Sequence, residues 1–492
     1  MRIKTASFIA EFPLVTTFSD VRALSIRLDA ARHIYNACLG EALRRLDLMR
    51  ATPDWSAAKA LPKGEPRSKE RKARATAFKA ILARFDFCAA SLQKHAERCR
   101  DACWIGDHLG SHDTQTTSLR AFRAVEQHAF GKRGRPRFKK FNRFHRIEGK
   151  SNAAVIRFRD GVVLYDGLAM PVKLDPRDRD GWQAEALSRR VKYVRIVRRD
   201  LRGKTRWAAQ LVCEGLPPVK ARRPVADGVV GLDLGPSTIA AVSGSDATLE
   251  QFCPTITQPW RELRRLERAM DRSKRATNPD AFNANGTYKR GARIKNRSVR
   301  YQALAQKRRE RERRLASERK RAHGELCNRI LAQGKDIRLE KLSYVAFQKC
   351  FGRSVKVRAP GMFVSMLLRK AESAGGYITE IKTRNTRLSQ FDHTTGIYVK
   401  KPLSQRTHFF GDGETAPVQR DLYSAFLARC CGENSLDISQ VQATWPDSEP
   451  LLRRAMSRSN KSASGCGFPL PHGKSVRADR APKRNICLSE AA

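Results

Sequence analysis

The chain has 492 residues, 41% of them hydrophobic, and its 97 Lys and Arg against 49 Asp and Glu leave a formal net charge of +48. That apolar content excludes a wholly disordered chain, and the length allows about three domains of ~150 residues each. An excess this large repels itself in a free compact fold, so the expected partner is a polyanion, nucleic acid ahead of a membrane surface. No apolar run approaches the ~20 residues of a spanning helix. The start, MRIKTASFIAEF, lacks the apolar core of a signal peptide, so the expected location is cytoplasmic, associated with the nucleoid. Twelve cysteines, with no CxxC among them, read as scattered free thiols and offer no cysteine zinc site.

After a short strand-like start, Ser19 stands where it can cap a long helix. Val21, Leu24, Leu28, Ala31, Tyr35, Ala42 and Leu46 keep its three-to-four spacing. Prolines and glycine in ATPDWSAAKALPKGEPRS break it. A second helical region puts Phe78, Ile81, Phe85, Cys88 and Leu92 on one face, and a third, TQTTSLRAFRAVEQHAF, ends near Gly131. Residues 16–134 thus read as a helical domain. The segment 131–146, GKRGRPRFKKFNRFHR, is almost wholly basic, with Phe138, Phe141 and Phe144 interleaved. Arg133, Arg135, Arg137, Lys139, Lys140 and Arg143 are its candidate phosphate contacts, with a nearby ring available to stack on a base. Beyond it AAVIRFRDGVVLY, VKYVRIVRR and RWAAQLVCEG alternate as antiparallel strands do. Residues 135–220 therefore read as a basic barrel or curled sheet that pairs with residues 1–15 and makes the helices an insertion. EGLPPVKARRPVADG reads as a linker.

The next unit opens on VVGLDLGPSTIAAVSG, a strand with Asp233 in an apolar run. A basic helix follows at 259–274, striped by Leu263, Leu266 and Met270. Residues 298–331 read as one long helix dense in arginine. Its net excess favours a phosphate-facing surface, with Arg308 and Arg309 as candidates, over a merely solvated one. KDIRLEKLSYVAF gives a strand ending at Glu340, PGMFVSMLLRKAESAGG a helix, and YITEIKT another strand. A helix then opens around Asp421. Residues 433–492, mixed in charge and aperiodic, read as a flexible tail.

Burying a lone carboxylate is costly unless something positive compensates it. Two aspartates and a glutamate gathered at one sheet edge form a hard oxygen-ligand site for Mg2+ or Mn2+. Two such ions can activate a water and stabilise the leaving oxygen in phosphodiester cleavage. Each motif alone has an ordinary reading: a phosphate-binding strand for GLDLG, a solvated or Arg-paired glutamate for RLEKL, an aspartate on a helix dipole for QRDLY. The ordered trio is more specific.

Together these segments resemble the RuvC-type RNA-guided nucleases, the transposon-encoded TnpB proteins and the compact type V CRISPR effectors. VGLDLGPSTIA resembles the first RuvC motif, IRLEKLSY the second and VQRDLYSAFLA the third, and the match covers most of residues 1–430. The resemblance implies that Asp233, Glu340 and Asp421 are catalytic metal ligands. It implies a multidomain α/β fold, in which an RNase H-like RuvC domain with a helical insertion occupies 221–384 and its third motif 421–432. Ahead of it stand a β-barrel-like wedge domain (1–15 and 135–220) that grips guide RNA and an inserted helical recognition domain (16–134). Residues 385–420 stand where relatives carry a four-cysteine zinc ribbon, but here Asp392, Thr395, Phe410 and Asp412 occupy the cysteine positions. Zinc is therefore not expected. The segment is either a mixed Asp392, His393, His408 and Asp412 site or a remnant loop held by packing of Tyr398, Phe409 and Phe410. The implied activity is RNA-guided DNA cleavage by two metal ions, with guide RNA and single- or double-stranded target DNA as partners, no membrane, and a monomer or homodimer as the working form. A guided DNA binder with weak or no cleavage and a transposon-associated DNA-processing protein are the alternatives.

Overall fold

SFIAEFP makes the first strand, β1 (Ser7–Pro13), because its residues alternate, with Phe8, Ala10 and Phe12 inward and the rest exposed. It belongs to the first of two units, 1–222 and 223–492, in a computed structural model that describes residues 5–178, 180–218, 223–256, 259–294, 296–402 and 404–465. Helix α1 (Phe18–Arg50) follows, and its buried face carries Leu24, Leu28, Ala31, Tyr35, Ala42 and Leu46. Its cap is Thr17 rather than Ser19. Thr17 Oγ1 accepts from the Asp20 amide at 3.2 Å while Asp20 accepts from the Thr17 amide at 2.8 Å, a reciprocal box that Ser19 cannot form.

Helices α2 (Pro53–Ala60), α3 (Lys69–Arg84), α4 (Ala89–Asp101) and α5 (Ser111–Ala129) complete the helical part. The helix expected across Phe78–Leu92 is two helices. Asp86 takes a left-handed conformation, φ +50°, and the Cys88 sulfur caps the restart by accepting from the Ser91 amide.

The β-rich part holds β2 (Arg146–Glu148), β3 (Ile156–Arg159), β4 (Val162–Tyr165), β5 (Leu168–Pro171), α6 (Trp182–Ser188), β6 (Val191–Leu201) and β7 (Lys204–Glu214). β1 pairs antiparallel with β7, in the order β1-β7-β6-β2, and β3-β4-β5 form a second antiparallel sheet. A bridge between Leu14 and Val172 links their edges. Among the described residues both sheets stay open, so the expected barrel is not closed. The β6–β7 turn places Arg202 and Gly203 at positive φ, +51° and +79°, the two-residue hairpin geometry that follows strand twist.

One buried carboxyl ties helix to sheet in this unit. Asp113, in the first turn of α5, is fully buried and accepts from the Tyr165 hydroxyl of β4 at 3.0 Å, while Arg27 stacks on that ring. Burial pushes the Asp113 carboxyl up to about 6, against the lowering pull of the hydroxyl. The fold thus favours the protonated acid, a stabilisation fully present below the unfolded value near 4 and lost as pH rises through about 6. The shift corresponds to about 3 kcal/mol. Asp113→Asn is expected to flatten unfolding stability against pH between about 4 and 6 relative to the parent. Equal pH profiles for the two proteins would contradict a buried, neutral Asp113.

The second unit is built on five strands. β8 (Val229–Leu234), β9 (Thr238–Val242) and β10 (Ala247–Gln251) form an antiparallel meander. The chain continues through α7 (Trp260–Thr277) and α8 (Val299–Leu331), capped by Ser298, to β11 (Asp336–Glu340). Next come α9 (Tyr344–Arg358), α10 (Pro360–Ser373), β12 (Ile378–Ile381), the short α11 (Thr383–Thr386), β13 (Thr407–His408), β14 (Val418–Gln419), α12 (Arg420–Arg429) and α13 (Ile438–Gly465). The sheet order is β10-β9-β8-β11-β12, with β8, β11 and β12 parallel. Val230, Leu232, Leu234, Ile337 and Leu339 pack on one face with the C-terminal part of α8 and with α10. Ala240 and Val242 join α12 and α13 in the core on the other.

Two elements depart from expectation. α9 lacks a clear apolar period because it buries only Val357 and kinks at Phe351. Residues 438–465 are a helix, not a flexible tail. Val441, Leu452 and Ala455 are buried at helical spacing, and Pro446 and Pro450 lie on the exposed side, where water can satisfy the carbonyls they leave unpaired. The rest of the expected tail, 466–492, lies outside the described residues. Among the described residues no helix is long and apolar enough to cross a membrane.

Candidate active site

Parallel pairing brings the first two carboxylates side by side. Val229 pairs with Asp336 and Leu232 with Leu339, so the register carries Asp233 next to Glu340 at the C-terminal ends of β8 and β11. With Val230, Leu232, Leu234, Ile337 and Leu339 on the other face, strand alternation turns Asp233 and Glu340 toward α12. Gly231 shares that face and has no side chain, so the α12 backbone comes to rest directly on it. A Cβ there would collide with the Ala425 carbonyl and the Arg429 amide. Arg338, also on that face, donates to the Arg429 carbonyl at 2.7 Å.

The third carboxylate arrives on the docked helix. Gln419 caps α12 by accepting from the Leu422 amide at 2.8 Å, which puts Asp421 in the first turn, one turn before Ala425. There it meets the positive end of the helix dipole. Thr238, at the start of β9, donates to Asp421 Oδ2 at 3.4 Å. The three acids therefore converge on one face of the sheet.

Electrostatics express that convergence. Burial pushes the Asp233 carboxyl well above its ordinary range, and the charges of Asp421 and Glu340 push it further. Burial also raises Glu340. Two cations oppose this: Arg420 Nε and Arg406 Nη1 each lie 3.9 Å from Asp421 Oδ1, and both lower Asp233. These arginines are absent from the sequence expectations. Arg420 abuts Asp421 in QRDLY and was legible there. Arg406, 15 residues earlier in SQRTHFF, needs the pairing of β13 with β14 to arrive.

Converging carboxylates whose burial and charge outweigh the two arginines at Asp233 are the kind of donor set a hard divalent cation takes. Among the described residues, however, no cluster of three or more His, Cys, Asp or Glu side chains is drawn tightly enough to hold a metal ion. Asp233 feels the charge of both other acids, and the three do not form a preassembled chelate. Asp233, Glu340 and Asp421 are the residues that would hold the ion.

The segment 385–420 is packed by aromatic and histidine rings. His393 Nδ1 lies 2.8 Å from the Tyr423 hydroxyl, and the rings of His393, His408, Phe410 and Tyr423 meet Trp445 of α13 or one another at 4.3–5.9 Å. His408 is fully buried beside Lys401, and burial followed by that cation pushes it down to about 4. Asp392 accepts from the Thr394 and Gly411 amides, and Asp412 is exposed, capping Glu414 and Thr415. Phe410 is buried and Tyr398 packs at a tilt against Phe391, but Phe409 is 61% exposed and takes no part in the packing. Purified protein is expected to carry no stoichiometric zinc. One tightly held zinc per chain in elemental analysis would instead make Asp392 and the two histidines ligands.

In the first unit the basic segment divides. Arg133, Arg137, Lys140 and Arg143 are exposed. Arg135 pairs with Asp47 at 3.2 Å. Lys139 is half-buried, its amide and carbonyl held by Asn36, and burial lowers its ammonium. Phe138 and Phe141 are exposed, whereas Phe144 is core, packed on Tyr35. In the second unit Arg308 is engaged by Glu267 and Glu312 at 3.2 and 3.0 Å, and Arg309 is exposed.

No family model matches the chain, and no curated protein matches it. Among solved structures it aligns with a cryo-EM structure of a Cas12f1-sgRNA-target DNA complex at 11% identity and a TM-score of 0.41, over 86% of this chain and 98% of that one. It also aligns with a cryo-EM structure of a CRISPR-Cas12f ternary complex at 12% identity and a TM-score of 0.24, over the same shares. Likeness at this level carries no argument by itself, and the functional reading rests on the residues.

Proposed function

We propose that this chain is an RNA-guided DNA endonuclease of the RuvC type, with Asp233, Glu340 and Asp421 as its catalytic carboxylates. The observation that carries the reading is the convergence of three acids, far apart in sequence, on one face of a mixed sheet in a chain of such positive charge. The order β10-β9-β8-β11-β12, an antiparallel meander extended by two parallel strands, supports an RNase H-like domain. A divalent cation bound by the three acids would supply Lewis acidity at a phosphodiester. The residues themselves gather three acids at the strand ends, and Arg406 and Arg420 offset part of the repulsion that acts on Asp233. The proposed partners are a guide RNA and target DNA; of the two aligned structures, the Cas12f1 complex is the one described with sgRNA and target DNA. A guided binder that cuts weakly is the second reading, favoured by the absence of the four cysteines from the segment 385–420.

Sequencing the RNA that co-purifies with the protein tests the guided part. A discrete RNA with one variable end is the expected result, and absence of bound RNA would sink it. For the basic segment, neutralising Arg133, Arg137, Lys140 and Arg143 together should reduce the log–log salt slope of RNA binding by about 3. An unchanged slope would make this segment an ordinary solvated surface.

A further inference from the structure

A groove between α1 and the basic segment is lined by Gly40, Leu43, Arg44, Asp47, Leu48, Arg135 and Phe138, with Arg44 held by Glu41. Part of its wall is apolar and unsatisfied, since Leu48 and Phe138 remain 45% and 59% exposed. The Phe138 ring lies against α1 beside Gly40. The segment is pinned before any ligand arrives. The Lys139 amide donates to Asn36 Oδ1 at 2.8 Å, Asn36 Nδ2 donates back to the Lys139 carbonyl at 2.9 Å, and Pro136 is buried.

At the rim, Arg135 donates to both carboxylate oxygens of Asp47, at 3.5 and 3.2 Å. A carboxylate among cations that neutralise phosphates repels what they attract, so Asp47 is misplaced if the groove meets backbone alone. Facing a base edge, it fits. Aspartate only accepts and arginine only donates. Guanine is the base that presents adjacent donors, N1–H and the N2 amine, on the same ring system as the acceptors O6 and N7. Arg133, Arg137 and Lys140, exposed along the same segment, supply positive charge for the flanking phosphates.

We propose that this groove binds an unpaired guanine of single-stranded RNA, its ring stacked on Phe138, its donor edge on Asp47 and its acceptor edge on Arg135. The proposal rests on the reading that the segment 131–146 grips RNA. Unpaired RNA bases are recognised by such stacking plus edge hydrogen bonds.

The test is fluorescence anisotropy on the full chain in EDTA, with short uridine oligoribonucleotides carrying one central guanine, adenine or cytosine. The guanine oligonucleotide is expected to bind about tenfold tighter than the others. Phe138→Ala should weaken its binding about tenfold. Asp47→Asn should erase the preference for guanine. Equal affinity for the bases in the parent, which needs no variant, overturns the guanine site while leaving the RNA-binding segment standing. So does an Asp47→Asn protein that binds every oligonucleotide more tightly and keeps the same order of preference, since Asp47 then only tethers Arg135. A deoxyguanosine oligonucleotide binding as tightly as the RNA overturns the assignment to RNA. No binding to any RNA would overturn the underlying reading as well.

Discussion

Asp233→Ala is expected to remove Mg2+-dependent DNA cleavage by a factor on the order of a thousand or more, while RNA and DNA binding stay near the parent level. Binding rests on basic surfaces, and the chemistry on the converging acids. The variant should also melt no earlier than the parent. Without a cation, Asp233 is buried and repelled by Asp421 and Glu340, so its removal relieves an unfavourable field. The competing reading makes Asp233 a structural ion-pair partner whose loss strands a buried charge and costs about 3–5 kcal/mol. The geometry weighs against that: the ion contacts of Arg406 and Arg420 at this site go to Asp421. Glu340→Ala and Asp421→Ala should lose cleavage alike, and double variants should be no worse than single ones, because groups acting as a unit are non-additive. Melting temperature and plasmid cleavage on one Asp233→Ala preparation separate the readings. Early melting, or cutting at the parent rate, would overturn the catalytic assignment.

What the sequence made legible follows the reach of each signal. The α1 stripe and the arginine-rich α8 are long local patterns, and local periodicity carried them. β1 could be paired with the later strands because its alternation needed an edge to cover. The three acids were visible as strand ends and a helix start, since β11 ends at Glu340 and α12 begins at Arg420. Features set by tertiary contact were not visible. Arg406 reaches Asp421 through a two-residue ladder, too short to leave a pattern. The break at Asp86 interrupts an apolar face that runs on in sequence, because a single left-handed residue turns the chain without changing hydropathy. α13 was hidden by two prolines that local rules count as breakers, though both sit on its wet side. In the segment 385–420, missing cysteines were plain. That rings of His393, Phe410 and Tyr423 would gather around Trp445 depends on α13, the helix those prolines conceal.

Gly231→Ala is expected to damage both stability and cleavage, which distinguishes it from Asp233→Ala. The new methyl group would press on the Ala425 carbonyl and the Arg429 amide, both backbone atoms of a helix that cannot step aside by a rotamer change. α12 must lift from β8 as a body. Overpacking of this kind costs about 2–3 kcal/mol, or about 5 °C in melting temperature for a unit of this size. The same displacement carries Asp421 away from Asp233 and Glu340 and breaks the Arg338 bond to the Arg429 carbonyl. Cleavage depends steeply on sub-ångström placement of reacting groups, so a loss on the order of a hundredfold accompanies the stability change. Gly244→Ala is the control. A Cβ there would stand 3.6 Å from a guanidinium nitrogen of Arg429, an ordinary contact with the end of a flexible side chain, and both properties should stay at parent values. If Gly231→Ala melted and cut like the parent, α12 would not rest on this face of the sheet, and the convergence of the three carboxylates would lose its structural basis.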